Sequence, residues 1–179
     1  LDYTWAVVVT VGLSVLSVLA WALALAEVFG ENSRALLALA LVALSPIFLP
    51  TSLWWAASIQ VLPLQLAMAL VILFLCRYLR RPGPRPLIGL GVSYALGLFF
   101  WQKALLLVIP AFFLVLLLGS GSTRARLRAA WRPLGLLATL TVLYLPAYLL
   151  VLAKPGSAGM GVDRTFSPRG LGESLSFFF

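Results

Sequence analysis

Thirteen bases, five acids, one cysteine and no histidine carry the ionic chemistry of this 179-residue chain. The acids are Asp2, Glu27, Glu31, Asp163 and Glu173. Without histidine the usual proton shuttle and the commonest metal ligand are missing, so any acid–base step falls to a carboxylate. Lys103 stands apart from the other bases. It sits in Phe99-Phe100-Trp101-Gln102-Lys103, with uncharged apolar runs over residues 87–100 and 104–118 on either side and an arginine cluster beyond each run. An ammonium at the edge of apolar spans either snorkels to the interface or meets an anion. Lys103, Gln102 and the N–H of Trp101 suit a lipid phosphate; a plain snorkelling anchor is the competing reading. Arg164 and Arg169 are further candidates for the same anion.

The elements that position these residues read as membrane spans. Composition is 63% hydrophobic and 10% charged, with a mean hydropathy of +1.07, far more apolar surface than a soluble core of this length hides. The class is therefore all-α, a polytopic transmembrane helix bundle of about six spans. The net charge of +8 would suggest nucleic acid in a soluble domain. Here the bases lie in short segments beside apolar runs, so their partners are membrane lipids and no nucleic acid is expected.

Residues 5–29 form a charge-poor run of 25, long enough to cross roughly 30 Å of hydrocarbon. Gly30-Glu31-Asn32-Ser33-Arg34 is a polar turn in which Asn32 or Ser33 caps the next helix, expected over residues 35–49. Thr51-Ser52-Leu53-Trp54-Trp55 reads as an external connection with tryptophans at head-group depth. Residues 59–78 return, with Gln60, Pro63 and Gln65 making the outer end polar and irregular, beside a cavity that opens outward. The next two spans are 87–102 and 104–118. Gly89, Ser93 and Gly97 form a small-residue stripe on the first of them, and the second is expected to bend or loosen at Pro110. Residues 134–153 complete the module.

The arginine-rich loops 77–86 and 119–133 contain no acid and are assigned to the cytoplasm, which places Lys103 and residues 154–176 outside. Residues 1–153 thus form a transmembrane module. Residues 154–179 form an external loop and the start of a juxtamembrane helix, signalled by Ser167-Pro168. The same orientation puts Asp2, Asp163 and Glu173 outside, and Asp2 and Asp163 are the catalytic candidates. Cys76, beside Arg77, is read as a packing residue, with palmitoylation as the alternative. The chain starts at Leu1 and ends in Phe177-Phe178-Phe179, and reads as a piece of a longer protein.

Leu53-Trp54-Trp55, Leu62-Pro63-Leu64-Gln65 and the tip Phe99-Phe100-Trp101-Gln102-Lys103-Ala104 resemble bacterial integral-membrane glycosyltransferases of the GT-C type. The resemblance implies a bundle of many helices that moves a sugar from a polyprenyl-phosphate donor to an acceptor on the external face. It gives Lys103 the role of phosphate clamp and the external segment that of a cover over the site. Members of that family often carry an acid before the hairpin lysine, where this chain has Gln102. The resemblance also places the family's signature acid in the first external loop, of which Leu1-Asp2-Tyr3 would be only the tail, so that acid is expected to lie outside this chain and not at Asp2. The metal ligand set is expected to be empty, although a divalent metal ion is left open as a cofactor, as is the oligomeric state. The rival functions are a transporter or flippase segment, supported by the proline-interrupted spans, and a non-catalytic membrane subunit that packs through the Gly89-Ser93-Gly97 face.

Overall fold

A computed structural model describes residues 3–30, 32–44, 55–119 and 121–152. Asp2, Glu31, residues 45–54 and the segment from 153 onward, with Asp163, Arg164, Arg169 and Glu173, lie outside them. Two units result, residues 1–141 and 142–179; within the second, the described residues are the end of the last helix. Every described element is helical, as expected of a chain that must satisfy its backbone without water.

Helix α1 covers Tyr3–Phe29 and stops at Gly30, whose φ of +80° is open to glycine at little cost. Helix α2, Ser33–Ala43, is capped by Asn32, whose side-chain oxygen accepts from the N–H groups of Arg34 and Ala35. Of the two expected caps, asparagine is the one used. Helix α3 covers Trp55–Arg80 and α4 covers Pro84–Phe100. After a 3₁₀ turn over Gln102–Leu107 come α5, Val108–Leu118, the short α6, Thr123–Ala129, and α7, Trp131–Leu152.

Among the described residues three stretches are long and apolar enough to cross a membrane: Thr4–Phe29, Val61–Arg80 and Trp131–Leu150. They differ in surroundings. Half of the α3 stretch is buried against protein, compared with 22% for α1 and 11% for α7. Helix α3 is therefore the helix about which residues 1–141 pack, touching α1 and α4 most extensively. On α1, Ala20, Trp21, Ala24 and Leu25 turn inward, while Val7, Val11, Val15, Leu19 and Leu23 are more than 40% exposed, an apolar outer surface of the kind that faces lipid.

The stripe of small residues works as its spacing implies, and its partner is α3 of the same chain. A Cβ on Gly89 would stand 2.6 Å from the Phe74 ring, and one on Gly97 would stand 3.1 Å from the Cβ of Ala67. Ser93 between them is buried and donates to the Gly89 carbonyl at 2.7 Å. Residue pairs 74/89 and 67/97 run in opposite senses, so α3 and α4 form an antiparallel hairpin.

The structure corrects several boundaries. The first arginine loop shrinks to the three residues between α3 and α4, because Arg77 and Arg80 occupy the last turn of α3 and Pro84 starts α4 at the position where a missing N–H costs nothing. Within the second, residues 123–129 form helix α6, whose N-cap Ser122 accepts from the Ala125 N–H, and residues 131–133 already belong to α7. Pro110 falls in the first turn of α5, just after the backbone passes from the 3₁₀ winding of Gln102–Leu107 to regular α-helix. Pro63 does lie inside α3, yet the helix runs unbroken through it in place of the irregular end expected there. Beside it the buried Ser17 hydroxyl of α1 donates to the Leu62 carbonyl at 3.2 Å, a polar tie between the two helices. Cys76 is buried at 2% exposure, in line with its packing role.

Candidate functional site

The tip that carries Lys103 is built by a change of backbone. Helix α4 ends at Phe100, and Trp101 is extended, with φ of −157° and ψ of 129°. Its amide N–H donates to the Gly97 carbonyl at 2.9 Å, and its own carbonyl accepts from Ala104 at 2.9 Å. The 3₁₀ turn then sets Ala104 and Leu107 inward, at 0% and 6% exposure, leaving Gln102 and Lys103 outward. Gly97 permits this inward packing: its ideal Cβ would sit 3.2 Å from that of Ala104.

Three consequences follow for the expected anion site. The Trp101 amide is committed to Gly97 and withdraws from the set of donors. Lys103 lies over the Trp101 ring, Nζ 4.3 Å from its centroid, so its described partner is an aromatic face. Gln102 stays exposed beside it. A cation–π contact at an exposed site is worth about 0.5–1 kcal/mol, whereas a hydrogen bond to a charged group is worth about 1.5–3 kcal/mol. The ring contact is the weaker of the two and does not lock Lys103 against a hydrogen bond to an anion.

Phe99 is 83% exposed and meets Phe100 edge to face, with centroids 5.5 Å apart, giving the tip an apolar flank. Seventeen residues of α4 separate the tip from the arginine-rich turn, an axial length of about 25 Å, so the two charged regions lie near opposite ends of the hairpin. At the arginine end, Glu27 of α1 pairs with Arg80 at 3.0 Å and Arg77 at 3.5 Å, and its backbone carbonyl also accepts from Arg80. The arginine side chains are 48% and 57% exposed, so these pairs contribute about 1 kcal/mol at most. They fix which helix ends share a side, while packing on α3 holds the bundle. Sequence spacing gave no sign of this pairing, because Glu27 and Arg80 lie 53 residues apart.

A second polar contact escaped the sequence reading. Tyr94 of α4 is completely buried, and its hydroxyl lies 2.7 Å from Thr141 Oγ1 of α7. Thr141 in turn donates to the Leu137 carbonyl at 2.9 Å, leaving its oxygen free to accept from the tyrosine. Arg126 of α6 is spent structurally too, donating to the carbonyls of Gly121 and Leu116. Among the described residues no three or more His, Cys, Asp or Glu side chains come together. Asp2, Asp163, Arg164 and Arg169 are outside those residues, so of the expected site residues those with a described position are Trp101, Gln102 and Lys103.

The described residues form an all-α module of membrane type, with three helices long and apolar enough to cross a bilayer. Within that class, a family model described as dolichyl-phosphate-mannose-protein mannosyltransferase matches residues 3–149, and the chain belongs to that family of GT-C type membrane glycosyltransferases. No curated protein and no solved structure matches the chain.

Proposed function

We propose that the chain forms the helical part of an enzyme that transfers a sugar from a polyprenyl-phosphate donor to an acceptor hydroxyl on the external face of the membrane, with Lys103 holding the donor phosphate. Family membership over residues 3–149 carries the class of reaction. The position of Lys103 supports its assignment, since it is exposed, has no acidic partner among the described residues, and is borne on a tip with an apolar flank.

In the reaction, an external carboxylate takes the proton of the acceptor hydroxyl as its oxygen attacks the anomeric carbon. The bond from that carbon to the phosphate oxygen breaks, and the electron pair leaves with polyprenyl phosphate. Lys103 offsets the charge that grows on the departing phosphate, with Gln102 as a neutral donor beside it. Asp2 and Asp163 are the candidate bases in this chain, while Arg164 and Arg169 would add to the anion site. Segment 154–179 would cover it, since closing the site excludes water from the activated sugar.

The rivals fare less well on particular residues. The Gly89-Ser93-Gly97 face, which a packing subunit would offer to another protein, is already filled by Phe74 and Ala67. A transporter would place charge at mid-span, and the charged residues of the described helices lie at helix ends and turns. The deciding experiment reconstitutes the complete protein in vesicles with radiolabelled polyprenyl-phosphate mannose and an acceptor peptide. Transfer of label to the acceptor with release of polyprenyl phosphate is the expected result; movement of intact donor between leaflets with no transfer overturns the reading.

A further inference from the structure

At the arginine end of the helical hairpin, α1, the end of α3 and the start of α4 enclose a cleft of about 470 Å³ lined by Glu27, Phe74, Arg77, Arg80, Arg81, Arg85 and Pro86. Four guanidinium groups face one carboxylate there, and that carboxylate is engaged by Arg77 and Arg80. Arg81 and Arg85 have no acidic partner among the described residues. The cleft thus carries two surplus, exposed guanidinium groups beside an apolar wall of Phe74 and Pro86. Phe74 is held in that wall by Gly89, whose missing side chain makes the slot in which its ring lies.

The cleft opens at the end of Val61–Arg80, one of the stretches able to cross a membrane, which sets it at head-group depth. An anion there comes with an apolar body attached, and the two kinds of wall match both parts. We infer that this cleft is a binding site for an anionic phospholipid, with the phosphodiester held by Arg81 and Arg85 and the glycerol and first acyl carbons laid against Phe74 and Pro86. Arginine is suited to this, because its planar fork takes two phosphate oxygens at once. Glu27 has a part in the selectivity: by engaging Arg77 and Arg80 it leaves the cleft suited to a single phosphodiester and less so to a polyanion. The site lies near the opposite end of α4 from Lys103 and is independent of sugar transfer.

The test uses the complete protein in detergent, titrated with phosphatidylglycerol or phosphatidylcholine and followed by native mass spectrometry. The wild type is expected to retain phosphatidylglycerol in preference to phosphatidylcholine. Arg81→Gln with Arg85→Gln should weaken phosphatidylglycerol binding about 25-fold, at roughly fivefold for each basic residue near a membrane surface. Arg124→Gln with Arg128→Gln removes the same charge elsewhere and should leave binding within twofold. Equal retention of the two lipids by the wild type needs no variant to fold and overturns the proposal. So does an equal loss in both double variants, which would mean bulk charge and no cleft. Displacement of phosphatidylglycerol by equimolar inorganic phosphate overturns it as well, since the ligand would then be free phosphate and no lipid.

Discussion

The ammonium of Lys103 rests 4.3 Å from the centre of the Trp101 ring, two residues before it in the chain. The contact depends on the backbone between them, extended at Trp101 and then tightly wound through the 3₁₀ turn. An extended residue followed by a regular α-helix would start the next span without this step. The ring holds the lysine by less than a phosphate would, so in the proposed role of phosphate clamp Lys103 has no carboxylate among the described residues that the ligand must first displace.

Replacing Lys103 by alanine should therefore lower kcat/KM for the polyprenyl-phosphate donor by about 10- to 100-fold, the equivalent of one lost charge-assisted bond of about 1.5–3 kcal/mol. Lys103→Arg should restore most of it, while Trp101→Leu, which frees the lysine from its ring, should cost less than tenfold. Initial rates measured across donor concentrations on the reconstituted enzyme check this. Unchanged donor kinetics in Lys103→Ala would remove the residue from the site and leave it an interfacial anchor.

The close approach of α3 and α4 makes a second expectation. Gly89→Ala puts a methyl group 2.6 Å from Phe74, with the attachment carbon of the ring itself only 2.8 Å away, so rotating the ring alone does not clear it. Overpacking of this kind costs about 1–3 kcal/mol. Thermal unfolding in detergent should show a clearly lowered midpoint for Gly89→Ala and little change for Gly135→Ala, where nothing lies within 4 Å of the added carbon.

The Tyr94–Thr141 pair should respond asymmetrically. Thr141→Val leaves a fully buried tyrosine hydroxyl without an acceptor, whereas Tyr94→Phe removes that hydroxyl and leaves Thr141 its own bond to Leu137. Thr141→Val should thus destabilise more than Tyr94→Phe, by roughly 1 kcal/mol, with a coupling in the double variant of about 0.6 kcal/mol, as for hydrogen bonds within membrane bundles. Unfolding of the single and double variants in a denaturant series gives the cycle; equal single effects with no coupling would mean that the bond contributes nothing.

Much of this architecture is legible in the residues. Apolar runs mark the helices, Asn32 announces the start of α2, and the spacing of Gly89, Ser93 and Gly97 announces a close helix contact. Which helix fills that stripe is not legible. In a soluble helix polar residues mark the outer face, but here both the lipid side and the protein side are apolar: Val15 and Leu25 are chemically alike, and one is 53% exposed while the other is 9% exposed. The same ambiguity hides Ser17 against Leu62 and Tyr94 against Thr141, pairs separated by 45 and 47 residues. At the candidate site, Lys103 was conspicuous for its isolation in sequence. The 3₁₀ turn that presents it was not, since Gln102, Lys103 and Ala104 fit an α-helix as well as they fit the tighter turn.

The orientation of the hairpin can be tested because Cys76 is buried and gives little background with thiol reagents. If the arginines face the cell interior, as short basic segments next to apolar spans do, Lys103→Cys should react with a membrane-impermeant maleimide applied to intact cells. Arg81→Cys and Arg128→Cys should react only after permeabilisation. Glu27, Arg77 and Arg80 lie together at one end of the bundle, so Glu27→Cys should follow Arg81→Cys. Labelling of Arg81→Cys in intact cells while Lys103→Cys stays protected would turn the bundle over. It would put the lysine tip in the cytoplasmic leaflet, and the proposed transfer on the external face would lose its phosphate clamp.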